Sequence, residues 1–418
     1  TVVFAYDDIY SVKYFGEPLR AYWKRDGKTT EKIIEEAFSK YGNFKSRCDE
    51  FDINLCKSAA DAGGEKYAQL LRLSVRQIMA ACKLVVKNNG EILYITKECL
   101  SNGCAATVDV AYPTLPFFLL YNPVLAEAIV RPAYEYVKSG KWPYKFAPHD
   151  LGTYPILNGQ VYGNGFKMSM QMPVEECGNM IILIDAVCRR EKNYSLANDN
   201  IRLLKLWSKY IEKYGEDPGN QLCTDDFSGH MPHNANLSIK AVMGLIGFSD
   251  ILRALGDTNE AEQIEKVARK YADSACVRAK DNNGGYRLAF DRAGTFSLKY
   301  NAVWDKLWNS NVFTAEFYQT EIDKYKEKSL PYGIPLDSRE KYTKSDWEIW
   351  AACFSEYKEE FEQFVHSVYA AFDTMHTRVP MTDWYYADTS NMVTAFRNRS
   401  VRGGLFMKLI FEKMVEQS

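Results

Sequence analysis

Apolar residues recur along this chain with the 3.6-residue period of α-helices, in two alternating styles. Val174–Arg189 after its first turn, and Asn236–Leu255 up to Gly256, are apolar nearly all round. Ser195–Tyr214, Thr258–Lys280 and Asn311–Lys326 each keep a polar face beside an apolar one, and Lys358–Met375 is a further helical unit. The first style suits a helix buried on every side, the second a helix with one face in water. Ala59–Val86 carries a wide apolar face through Leu70, Leu71, Leu73, Val75, Ile78, Met79 and Cys82, and reads as one helix. Ser345–Glu356 is aromatic-rich, and Val401–Val415 closes the chain. Thr258 reads as an N-cap, and Asn234 or Asn236 as the cap of the helix that follows them. Strand signal is confined to Asn89–Glu98 and Tyr286–Asp291, each read as a short hairpin strand. Inner helix, short loop and outer helix repeat for about six hairpins. The pattern predicts an all-α fold, an α/α toroid with short β-hairpins in its loops. A solenoid would show a repeated motif, and none is visible. Residues 1–418 read as a single domain, with 1–58 as a lead-in segment packing on the toroid.

Polar and aromatic residues gather in the segments that lead into the apolar helices. In order these are DDIYSVKYFG (Asp7–Gly16), ATVDVAYPTLP (Ala106–Pro116), APHDLGTYP (Ala147–Pro155), MPVEECGN (Met172–Asn179), TDDFSGHMPHNANLSIK (Thr224–Lys240), KYNAVWDKLW (Lys299–Trp308), YGIPLDSREKYTKSDWE (Tyr332–Glu348) and FRNRSVRGG (Phe396–Gly404). Helices that alternate in direction bring every second loop to the same rim, so many of these segments are expected to share one cleft.

Their chemistry is that of carboxylates. Glu175 and Glu176 fall in a first helical turn, where the helix dipole favours acids and Pro173 tolerates the missing N–H. The same placement serves a plain structural role. Asp225 and Asp226 are adjacent, so at most one faces the cleft. Asp346 and Glu348 sit in another first turn, capped by Ser345 or Thr343, with Trp347 between them as a platform for a flat ligand face. His149, Asp150, Asp109, Asp337, Arg339 and Arg402 complete the polar rim. A general acid/base pair needs two carboxylates whose pKa values are pushed apart. Glu176, with Asp226 or Asp346, is the expected pair. Glu175, Asp109, His149, Asp150, Asp225, Asp337, Arg339, Trp347 and Arg402 are expected to bind substrate. A metal on His230, His233 and Asp226 would lack the helical i, i+4 spacing, so no metal and no cofactor are expected. There is no GxSxG, P-loop or dinucleotide fingerprint.

Composition narrows the partners. Net charge is −2 without a basic stripe, which argues against nucleic acid. Hydrophobic residues make up 46% and charged residues 25%, the balance of a globular protein, and no membrane-spanning segment is apparent. The ten cysteines form no CxxC; only Cys48/Cys56 and Cys99/Cys104 are close enough in sequence to suggest a pair. Aromatic content is 14%, which suits either a thick helical core or a sugar cleft. The chain opens on TVVFAYDD without an initiator Met, as a processed or excised chain would.

Taken together, YDDIYSVKYFG, HDLGTYP, MPVEECGNM, TDDFSGH with NLSIKA, KYNAVWDKLW, YGIPLDSREKYTKSDWE and PMTDWY followed by RSVRGG resemble the glutaminase A family of secreted fungal and bacterial proteins. The resemblance runs from residue 6 to about residue 404, nearly the whole chain. It implies a C-terminal helical toroid preceded by a β-rich region, which would be a partner in the same chain, and a secreted or cell-envelope location. It implies hydrolysis of the side-chain amide of glutamine. Arg402 stands where the family pattern leads one to expect an apolar residue, which puts the ligand preference of that loop in question. A carboxylate-activated water serves a glycosidic bond equally, so a glycoside hydrolase remains the alternative, and a non-catalytic ligand-binding toroid the third.

Overall fold

The computed structural model describes residues 2–223, 229–394 and 396–415. Its elements run β1 (Val12–Tyr14), β2 (Glu17–Ala21), α1 (Thr30–Ser39), α2 (Tyr41–Ala80), β3 (Cys82–Val86), β4 (Ile92–Thr96), α3 (Val108–Tyr121), α4 (Pro123–Lys138), β5 (Ile156–Leu157) and α5 (Pro173–Glu191). They continue with α6 (Ser195–Asp199), α7 (Ile201–Tyr214), α8 (Ala235–Ala254), α9 (Thr258–Ala279), α10 (Val303–Trp308), α11 (Ala315–Lys328), β6 (Tyr342–Lys344), α12 (Ser345–Ala352), α13 (Lys358–Thr374), β7 (Trp384–Tyr386) and α14 (Met407–Val415).

The two styles of helix become two layers. The inner ring closes by contact: α3 packs on α5, α5 on α8, and α8 on the tight turn Tyr300–Ala302 that leads into α10. That turn packs on α12, α12 on the 3-10 segment Ser400–Phe406 before α14, and that segment back on α3. Every residue of α12 is buried, Asp346 and Glu348 included, and so is α5 from Pro173 to Cys188, as inner helices enclosed on every side must be. The second half of α2, then α4, α7, α9, α11 and α13, form the outer layer, each preceding its inner partner. α2 changes direction at Gly63–Gly64, where Gly64 takes φ +81°. The predicted α/α toroid of six hairpins is therefore the fold.

The connections are unequal, and this places the site. Outer-to-inner links are long (81–107, 139–172, 215–234, 280–302, 329–344, 375–399), whereas inner-to-outer links are short (122, 255–257, 309–314, 353–357). All the long loops, and all the starts of inner helices, consequently share one rim.

Local readings change in places. The apolar run Ala59–Val86 is not one helix: α2 begins at Tyr41 and stops at Ala80, and Cys82–Val86 pairs antiparallel with Ile92–Thr96. A short β-branched run satisfies either period, and its pairing partner decides. β3 and β4 join a five-stranded sheet of order β4-β3-β2-β1-β5, set outside the ring with β4 against α4. Tyr286–Asp291 makes isolated bridges only, Lys280–Tyr286 and Asn234–Ala289. Ser195–Tyr214 is broken at Asn200 into α6 and α7. Asp257, not Thr258, caps α9, accepting from Glu260 N at 3.3 Å, while Asn234 caps α8. Lys344 occupies the cap position of α12 without a side-chain cap, in place of Ser345 or Thr343. Tyr342–Lys344 is instead a strand paired with Trp384–Tyr386.

Candidate functional site

Each inner helix opens on a polar side chain at the rim: Asp109 on α3, Glu175 and Glu176 on α5, Asn236 on α8, Asn301 before α10, Asp346 on α12 and Arg402 before α14. The helix N-termini favour the carboxylates there. The long loops add Glu98, His149, Asp150, Lys344, Asp383 and Arg399, all of them buried.

One side of the cluster is built on His149. Asp150 is fully buried and accepts from three backbone N–H groups, Gly152 and Val161 on Oδ1 at 2.8 and 3.0 Å and Tyr162 on Oδ2 at 3.0 Å. Its Oδ2 also lies 3.0 Å from His149 Nδ1. The imidazole stacks on Tyr162 at 4.0 Å, and His149 Nε2 faces Asp109 Oδ1 at 3.7 Å. Burial opposes charge on His149, but Asp109 and the Asp150 hydrogen bond outweigh it and raise its pKa to about 10. Burial raises Asp109, against the pull of His149. Glu176 is held well above the usual carboxylate range by burial and then by the Asp109 charge, which favours its neutral form. Asn179 Nδ2 donates to Glu176 Oε2 at 3.0 Å and to Glu175 Oε1 at 3.2 Å. Glu175 is ion-paired to Lys240 of α8, whose Nζ also reaches Asn179 Oδ1 at 2.8 Å. Gly178 permits this crossing, since a Cβ there would lie 2.7 Å from Lys240 Cγ.

The other side is cationic. Lys344 Nζ bonds Asp346 Oδ2 at 3.1 Å and lies 3.5 Å from Asp383. Arg399 stands 3.8 Å from Asp383 and 3.9 Å from Glu98. Arg402 Nη1 donates to Ser345 Oγ at 2.8 Å, and its guanidinium lies 4.4 Å over Phe372. Burial pushes the Arg402 pKa down to about 10, although Asp346 and Asp383 pull it back up. Gly404 brings this segment against α12, where a Cβ would lie 2.9 Å from Asp346 Cβ.

Polar atoms without a hydrogen-bond partner concentrate here: Asp109 Oδ1, Glu176 Oε1, Asp346 Oδ1, both Asp383 oxygens, Arg399 Nε and Arg402 Nη2. Each such buried group costs about 1–3 kcal/mol. A fold retains them together where a ligand supplies the missing partners. Asp109 is 13% exposed, against 1% for Glu176 and 0% for Asp346, so Asp109 is the carboxylate nearest water.

Under the cluster lies an aromatic plug. Trp347 stacks on Tyr300 at 4.1 Å and meets Trp350 edge-on at 4.9 Å. Trp304 Nε1 donates to Tyr112 Oη at 2.8 Å, which donates to Asn301 Oδ1 at 2.9 Å. Trp347 is thus a core ring with Tyr300 on one face, not an open platform.

Asp109, His149, Asp150, Glu175 and Glu176 come together on one side, and Asp346 and Arg402 on the other. Asp337 and Arg339 form a forked ion pair within their own loop, at 2.9 and 2.6 Å. Asp225 and Asp226 lie outside the described residues. His233 pairs with Asp217 at 2.7 Å and is 41% exposed. Asp7 and Asp8 pair with Lys24 and Lys83 near the surface. Glu98, Asn179, Lys240, Lys344, Asp383 and Arg399 join the site beyond the sequence reading. All but Glu98 lie inside the quoted motifs; Glu98 carries no local signal.

Two triples of metal-capable groups overlap here, Cys104–His149–Asp150 and Glu98–Asp109–His149. A metal would require His149 to give up the proton that Asp109 and Asp150 hold on it. The ten cysteines are free thiols, and Cys177 is packed in the core.

Fold and site define a six-hairpin helical toroid with a buried cluster of carboxylates and cations at one mouth. The glutaminase A six helical-hairpin domain matches residues 64–409, and the chain belongs to that family. Glutaminase A of Aspergillus oryzae is 31% identical over 412 residues, which cover 96% of this chain and 59% of that protein. A probable glutaminase of Arthroderma benhamiae is 25% identical over 446 residues, covering 86% and 51%. The chain thus spans between half and three-fifths of these relatives' lengths. Among solved structures, a metal-independent α-mannosidase of Streptococcus pneumoniae in complex with α-1,6-mannobiose superposes with a TM-score of 0.62 at 11% identity, covering 88% of this chain and 98% of that one. A bacterial glucoamylase complexed with acarbose gives 0.53 at 11% identity, covering 94% and 62%. At that identity the likeness concerns the toroid alone.

Proposed function

We propose that the mouth cluster hydrolyses the side-chain amide of a free amino acid, L-glutamine being the substrate that the relatives' names support. The observation that carries this is the pairing of unsatisfied donors on Arg399 and Arg402 with unsatisfied acceptors on Asp109, Glu176, Asp346 and Asp383. A zwitterion with an amide tail offers matching groups: a carboxylate for the guanidinium groups, an ammonium for the Asp346 and Asp383 oxygens, and an amide for Glu176 and Asp109.

In the proposed reaction, Asp109 takes a proton from water and the resulting hydroxide adds to the amide carbon. Glu176 gives its proton to the departing nitrogen, ammonia leaves, and a carboxylic acid remains. His149, fixed by Asp150, pulls Asp109 toward the ionised form the base requires, opposing the burial that raises its pKa. The raised pKa of Glu176 supports its role as the acid, and the cationic His149 beside Asp109 favours the base form there against the burial that raises it.

The same carboxylate pair would serve a glycosidic bond, and the toroid is one that glycoside-processing proteins share. The buried position of Trp347, Trp304 and Trp350 favours the amino acid, since a sugar site displays its aromatic faces. The test is ammonia release from L-glutamine by the purified protein, beside a panel of α- and β-glycosides, each with and without a chelator. Glutamine turnover that survives the chelator is expected. Turnover of a glycoside with none of glutamine would replace the amide reading.

A further inference from the structure

The opposite mouth of the toroid, where the inner helices end, holds a second cavity of about 270 Å³. Four cations line it, Arg189, Arg190, Lys192 and Lys413, and no carboxylate does so among the described residues. Trp308 forms part of its wall with the fully buried Trp304 behind it, and Leu307 and Ile410 give part of its apolar surface.

Basic residues at helix C-termini complement the helix dipole, and that accounts for part of this arrangement. Arg190 Nε donates to Leu119 O at 2.7 Å at the end of α3. Arg189 is held by Asp185, at 2.6 Å, and by Asp250. Dipole and ion pairs do not account for the remaining charge. Neither Lys192 nor Lys413 has an ion pair among the described residues, and Lys413 instead sits 5.3 Å over the Tyr121 ring. Uncompensated cations around an apolar, indole-walled cavity form the complement of a compact organic anion.

We propose that this cavity binds a small organic monocarboxylate with a flat or branched apolar body, the body against Trp308 and Leu307 and the carboxylate among Lys192, Lys413 and Arg190. The volume suits one ring or a short branched chain. The proposal is independent of the hydrolase reading, because the site shares no side chain with the carboxylate cluster. One physical link joins the two mouths. Trp304 backs this cavity and donates to Tyr112, and Lys240, partner of Glu175 and Asn179, lies 4.1 Å over the Tyr112 ring.

The test uses benzoate as the probe and benzamide as its neutral counterpart, titrated into the protein by calorimetry. The indole N–H resonances of Trp308 and Trp347 are followed in a 15N-labelled sample. Saturable benzoate binding is expected, about tenfold tighter than benzamide and about tenfold weaker in the Lys192→Ala/Lys413→Ala protein. Lys192 is exposed and Lys413 partly so, and neither has an ion pair among the described residues, so the double variant is expected to melt close to the parent. The Trp308 resonance should shift while Trp347 stays. Equal affinity for benzamide, unchanged binding in the double variant, or a shift at Trp347 alone would each overturn the proposal. No saturation by either compound at tens of millimolar overturns it as well.

Discussion

Replacing Glu176 with Gln separates the acidity of this position from its shape. The side chain is 1% exposed, Asn179 Nδ2 donates to Oε2 at 3.0 Å, and Oε1 has no partner. Burial and the Asp109 charge favour its neutral form, so the substitution exchanges one neutral group for another of the same outline. A glutamine oxygen keeps the Asn179 bond, and folding stability at neutral pH should change by less than about 1 kcal/mol. Turnover should fall between about a hundredfold and ten-thousandfold, the usual worth of a general acid. That corresponds to about 3–5 kcal/mol of barrier. The assay is ammonia release from L-glutamine under saturating substrate, beside circular-dichroism melts of both proteins. Stability gives a second readout. The folded state binds this proton more tightly than the unfolded chain, whose glutamate titrates near 4.5. The contribution is therefore complete below that pH and declines as pH rises toward the elevated folded value. The substituted amide does not titrate and has no such slope, so the variant should gain on the parent as pH rises. A folded Glu176→Gln protein with full activity would remove this residue from the reaction.

His149 should remain an imidazolium to about pH 10, followed by 15N imidazole shifts; its stabilising effect is complete below its ordinary 6.5 and is lost as pH rises through 10. A neutral tautomer at pH 8 would contradict the Asp109–His149–Asp150 arrangement. Arg402→Met should raise KM for the amino acid about tenfold or more, the worth of a hydrogen bond to a charged group, with a smaller effect on kcat. An unchanged KM would place the substrate carboxylate elsewhere. Gly403→Ala puts a Cβ 2.2 Å from Thr114 O where the last inner segment meets α3, and should cost about 1–3 kcal/mol in urea unfolding. A midpoint equal to the parent's would show that the ring yields at this contact.

The helical toroid was legible in the sequence because its cause is local. A buried helix is mostly apolar all round, and an outer helix must keep a wet face, so α5, α7, α8 and α9 announce their layers within their own residues. Acids at the first turns of α3, α5 and α12 were legible for the same reason, since the dipole that favours them belongs to the helix they begin. The Arg402 departure and the Gly403–Gly404 pair could also be read directly, though not what they touch.

Tertiary structure alone decided which of these groups meet. Cys82–Val86 has an apolar run that fits helix or strand, and only Ile92–Thr96 across the hairpin makes it a strand. Glu175 gains Lys240 as its partner only because α5 and α8 are neighbours in the ring. Glu98 and Asp383 enter the mouth through Arg399, which meets both at once although Glu98 lies far from it along the chain. Trp347 is adjacent to Asp346 in sequence, yet the helix turns its ring into the core against Tyr300 while the carboxylate meets Lys344. Periodicity and capping act over a few residues, whereas charge pairing and burial depend on ring closure between elements hundreds of residues apart. That closure fixed the site's electrostatics: a Glu176 pushed toward its neutral form, a charged His149, and two guanidinium groups with donors still unsatisfied.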